Sequence, residues 1–192
     1  MQIGRLRPGL IFYVDSSTVF AFGGWAEDGA PMRTATKFTF PTLDNFTARR
    51  RIAGAWEALP DMSTARADFN PCLFAGFIYL AGGGHSSIEA YDPATCQLKR
   101  NQPSDTVDSD ISILVAHMDR LVMIGGAKVF YRSDSQSRIV DQRNRIAGPG
   151  WSNQTPVVVE DAVYTVVMTS SGFTLFKLGV HSGRVLTERR FS

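Results

Sequence analysis

Cysteine is scarce in this chain: its 192 residues include only Cys72 and Cys96. Two cysteines cannot build a disulfide framework, so both are expected free and partly buried, and the fold must rest on an apolar core. Long apolar runs are missing as well. No stretch approaches the roughly 18 residues that a membrane helix needs. The opening MQIGRLRPGL lacks the apolar segment of a secretory leader, which makes a cytoplasmic location the expectation. Charge of one sign is also absent. Twenty Lys and Arg against 18 Asp and Glu leave a net charge of +2, and the lone basic run, Arg49-Arg50-Arg51, reads as a solvated loop. A nucleic-acid partner therefore has no electrostatic support.

Motifs that carry chemistry are missing too. His85, His117 and His181 occupy non-equivalent positions, and there is neither a Cys-x-x-Cys nor a His-Glu-x-x-His spacing for a metal. The triplet Gly82-Gly83-Gly84 precedes His85-Ser86-Ser87 and a strand. A phosphate loop instead requires Gly-Lys-Ser/Thr opening a helix. No Gly-x-Ser-x-Gly elbow occurs. No catalytic residue, metal or cofactor is assigned on these grounds.

What the chain does have is a segment that recurs. Residues 61–98 carry two apolar runs, Cys72 to Ala75 and Phe77 to Ala81, separated by one glycine. They are followed by the glycine triplet, by Ser87-Ile88-Glu89-Ala90-Tyr91, and by the turn pair Asp92-Pro93. These are three short strands with tight connections. The glycine doublets supply a ruler. Gly83 and Gly126 stand 43 residues apart, and the same step reaches Thr169 after a further strand-like run. Upstream, Thr18 to Phe22 ends in Gly23-Gly24, with extra loops at Trp25–Thr34 and Asp44–Ala55. Each repeat holds about four strands and no helical period, which makes the chain all-β.

The order of strand, Gly-Gly, and strand ending in Tyr-Asp-Pro resembles the kelch repeat from Arg66 to Thr95, with Leu98 where a kelch Trp would stand. The resemblance implies one kelch-type β-propeller domain over 1–192, with about four four-stranded blades at approximately 1–62, 63–104, 105–148 and 149–192. A closed four-bladed ring, an open arc completed by another copy, and a piece of a longer propeller are the arrangements open to it. The absence of polar end caps favours the open or partial forms.

The resemblance further implies a non-enzymatic scaffold that presents loops to a partner protein or an acidic peptide, with self-association completing the propeller. The alternative is a propeller enzyme or carbohydrate-binding protein acting on a small molecule in a central pocket. Arg7 precedes Gly24 by the same seventeen residues that separate Arg66 from Gly83. In kelch proteins this position opens the innermost strand at one mouth of the propeller, so the resemblance groups Arg7 and Arg66 with Trp25, Asp28, His85 and Ser86 as a candidate partner-binding mouth. Ser109 and Ser152 stand at the same register in the later repeats.

Overall fold

A computed structural model describes residues 4–40, 55–100, 111–118, 120–125, 128–132, 137–141, 156–169, 172–180 and 185–191. It is all-β, with four antiparallel four-stranded sheets that follow one another along the chain. The first sheet comprises β1 (Gly9–Tyr13), β2 (Thr18–Phe22), β3 (Ala35–Thr39) and β4 (Glu57–Leu59). The second comprises β5 (Cys72–Phe74), β6 (Phe77–Leu80), β7 (Glu89–Asp92) and β8 (Gln97–Arg100). The third contains β9 (Ile111–His117), β10 (Arg120–Gly125), β11 (Lys128–Arg132) and β12 (Ser137–Asp141). The fourth contains β13 (Val157–Val159), β14 (Ala162–Thr169), β15 (Gly172–Gly179) and β16 (Val185–Phe191). Within each sheet the strands lie side by side in chain order.

Side chains alternate across a strand, so a sheet with dry neighbours on both sides reads as a continuous apolar run. Strand β6 is such a run. Ile78 and Leu80 pack with Phe20, Phe22 and Tyr91 against the first sheet, whereas Tyr79 and Ala81 pack with Leu114, Leu121 and Met123 against the third. Strand β9 repeats the division: Leu114 faces the second sheet, and Ile113 and Val115 face Val163 and Leu178 of the fourth. The sheets thus stack face to face in sequence order, and β9 borders both β5 and β13.

The turn chemistry is local. Asp92 Oδ1 accepts the backbone N–H groups of Ala94 and Thr95 at 3.0 and 3.2 Å, which closes the turn between β7 and β8. These bonds hold the Asp92 carboxyl below the usual carboxylate range. Gly83, at φ +68°, leaves β6 in a left-handed conformation, and a Cβ there would stand 2.7 Å from the Ala67 carbonyl oxygen.

The 43-residue ruler holds from the second sheet to the third and then slips. Leu80 faces the preceding sheet, as does Met123 one step on. A further step from Leu121 arrives at Tyr164, but the residue packed on the third sheet is its neighbour Val163. A one-residue difference reverses the faces of a strand. The fourth sheet is therefore out of register with the spacing that reaches Thr169.

Candidate partner-binding face

The loop after β2 is stitched to two other segments by its backbone. Leu6 and Trp25 exchange N–H···O bonds of 2.9 and 2.8 Å, the Gly24 N–H donates to the Arg66 carbonyl at 2.8 Å, and the Arg66 N–H donates to the Met32 carbonyl at 3.0 Å. Trp25 consequently sits between the chain leading into β1 and the linker leading into β5. Asp68, on that linker with φ +57°, receives the Trp25 indole N–H at 3.1 Å and Arg7 Nη1 at 3.4 Å. The Arg7 side chain remains 64% exposed. Asp28 Oδ1 accepts the Ala30 N–H at 3.0 Å and closes its own exposed turn. His85 is half-buried and Ser86 exposed, both on the loop between β6 and β7.

Arg66 departs from the expected mouth. Its side chain is fully buried, and its donors are taken up inside the protein. Nη1 donates to the Gly82 carbonyl at 2.6 Å, and Nη2 donates to the Ser87 carbonyl and hydroxyl at 2.6 Å each. Nε and Nη2 both reach Glu89 Oε1 at 3.3 Å. The other Glu89 oxygen accepts the Ser63 N–H and hydroxyl, each at 2.7 Å. Burial lowers the Arg66 pKa, and the Glu89 charge opposes that shift. A guanidinium so enclosed has no edge to offer a partner. It holds the 82–87 loop that carries His85 and Ser86, acting as a positioning residue.

The register that joined Arg7 to Arg66 is likewise corrected. Arg5 is the residue that repeats the Arg66 contacts: Nη1 lies 3.4 Å from the Gly23 carbonyl and 3.2 Å from the Thr34 carbonyl, and Nη2 donates to Thr36 Oγ1 at 2.9 Å. Gly23 corresponds to Gly82, both opening a glycine doublet, and Thr36 corresponds to Glu89. Thr36 pairs with Ala21 across β2 and β3, just as Glu89 pairs with Leu80 across β6 and β7. Eighteen residues separate Arg5 from Gly23, against 16 from Arg66 to Gly82. The equal spacing therefore selected Arg7, two positions too late.

Arg7 and Trp25 are brought together through Asp68, which sequence reasoning missed along with Arg5 and Glu89. The pair of arginines in Gly4-Arg5-Leu6-Arg7 was the one available signal for Arg5. Ser109 and Ser152 lie outside the described residues. Both cysteines are free and partly buried. Burial pushes the Cys72 thiol up to about 12, which leaves it almost wholly protonated and a poor nucleophile at neutral pH. Among the described residues, no three His, Cys, Asp or Glu side chains gather closely enough to hold a metal ion, and no helix is long and apolar enough to cross a membrane. Compared with known proteins, the chain matches no protein-family model and no curated protein.

Proposed function

We propose that this chain is a kelch-type propeller segment acting as a non-enzymatic scaffold, with its loop face directed at a partner protein or an acidic peptide. The observation that carries the reading is the succession of four-stranded meanders stacked through dry faces. Such a stack gathers the loops at the ends of the strands into one surface. The contact residues are Arg7, Trp25, Asp28, His85 and Ser86, with Arg66 holding the loop from beneath. Arg7 is the exposed guanidinium of this group, and its planar fork suits a carboxylate.

The two end sheets support self-association. Leu10 and Phe12 are more than half exposed on the outer face of the first sheet, as are Val157 and Val159 on the fourth. These faces match in kind the ones buried between sheets, and a second copy of the chain is the proposed cover. The loop-face reading is tested with an array of acidic peptides probed by the wild type, Arg7→Glu and an Arg190→Glu control. Binding should be lost in Arg7→Glu and kept in the control. Equal responses from the two variants would retire it.

A further inference from the structure

Beside the loop face, the outer surface of the first sheet contains a cavity of about 570 Å³, and Arg5, Pro8, Leu10, Thr36, Trp56 and Ala58 are among its lining residues. Arg5 is its charged anchor. Every hydrogen bond that Arg5 donates goes to a neutral acceptor: the carbonyls of Ala21, Gly23 and Thr34 at 3.2–3.4 Å, and the Thr36 hydroxyl. Among the described residues no carboxylate pairs with it, and its Nε meets no acceptor. Burial lowers its pKa without an opposing charge.

The second sheet shows what such an arginine takes when satisfied. There the side-on edge formed by Nε and Nη2 of Arg66 holds Glu89 Oε1. In the first sheet the Glu89 station is filled by Thr36, whose short side chain leaves the Nε edge open. We propose that the cavity is a binding site for a carboxylate, which takes up on Arg5 the position that Glu89 holds on Arg66. A charge-assisted, side-on pair is the strongest bond this edge can make. The indole of Trp56 and the side chain of Leu10 supply apolar walls, so the ligand carries an aromatic or aliphatic body next to its acid. Asp61 also lines the cavity. Its like charge selects a monocarboxylate over a dicarboxylate. The site needs only the first sheet and does not depend on the propeller reading; because Leu10 belongs both to it and to the face proposed for a second copy, the ligand and that copy compete there.

The test is a titration of the ¹⁵N-labelled full chain with phenylacetate, read at the Trp56 indole N–H, one of three in the chain, assigned by Trp56→Phe. Neutral phenylacetamide is the control. Phenylacetate should shift the resonance with a dissociation constant of about 1 mM or tighter, and phenylacetamide should not. Arg5→Gln should weaken binding by at least about tenfold. Thr36→Glu should do the same while raising the melting temperature, because it restores the second sheet's pair within the first. This variant keeps Arg5 and so decides the matter if Arg5→Gln fails to fold. A capped phenylalanyl-glutamate amide forms the second arm: tighter binding of this peptide assigns the carboxylate to a protein side chain, and tighter binding of phenylacetate assigns it to a free acid. No shift with either probe at about 10 mM, an equal shift with phenylacetamide, or unweakened binding to Thr36→Glu overturns the proposal.

Discussion

Arg66 Nε and Glu89 Oε1 lie 3.3 Å apart with almost no solvent on either side chain. The Glu89 carboxylate takes two further hydrogen bonds from Ser63, so the linker before β5, the start of β7 and the 82–87 loop meet at this one pair. Removing a single partner leaves a charge buried alone. Arg66→Ala should therefore lower stability by about 3–5 kcal/mol. The double change Arg66→Met with Glu89→Leu should recover only part of that loss, as measured by urea denaturation, because it leaves the Gly82 carbonyl and the Ser63 N–H without their partners.

Tyr91 is 1% exposed, and its ring meets Phe20 and Phe22 edge-on at 5.9 and 5.3 Å between the first two sheets. Tyr91→Ala should cost about 3–5 kcal/mol in unfolding free energy. Its buried hydroxyl meets no nitrogen or oxygen partner, and burial first, then the neighbouring Cys96 thiol, push its pKa well up. Tyr91→Phe should accordingly leave the melting temperature unchanged or raise it.

At Gly83 two constraints act together, the left-handed backbone and the nearby Ala67 carbonyl. Gly83→Ala should destabilise by about 1–3 kcal/mol from the backbone alone. Gly76→Ala, also at positive φ but with open space around its Cβ position, should cost less by thermal denaturation. Equal losses would mean that close approach contributes nothing at Gly83.

The Asp92 turn sets a pH dependence. Its folded-state pKa is depressed, so its contribution is fully present above the unfolded value of about 3.9 and is lost as pH falls through the lower folded value. Denaturation of the wild type and Asp92→Ala should differ near neutral pH. The difference should narrow in acid, and a carboxyl ¹³C titration should place Asp92 below the ordinary aspartate value.

Self-association should respond to the outer face of the first sheet. Sedimentation of the purified chain should give a mass above that of the monomer, and Phe12→Glu, which sets a charge among exposed apolar residues, should return it to monomer and remove any dependence of the melting temperature on concentration. Phe12 is 51% exposed, so the substitution leaves the buried face of β1 untouched.

Much of the strand content was legible because interior sheets are dry on both faces. Phe77 to Ala81, between Gly76 and Gly82, and Leu121 to Ile124, ended by Gly125, are unbroken apolar runs, and they supply strands β6 and β10. The candidate site was less legible. Its contacts span distances without a local signal: Asp68 lies 61 residues from Arg7 and 43 from Trp25. Arg66 looked like a rim residue because a buried arginine needs a partner, and that partner stands 23 residues further on. The Arg5 correspondence was hidden by counting along the chain, since two extra residues lie between the guanidinium and its glycine carbonyl in the first repeat.

The division of β6 between two neighbouring sheets inverts the usual relation between distance along the chain and energetic coupling. Ile78 and Tyr79 are adjacent in sequence, yet they belong to separate apolar clusters. Phe22 and Tyr91 come from different repeats and touch directly. In double-mutant cycles the first pair should add and the second should not. Substitutions in this protein are therefore expected to compensate across repeats sooner than within a strand, and a change tolerated on one side of β6 carries little information about the other.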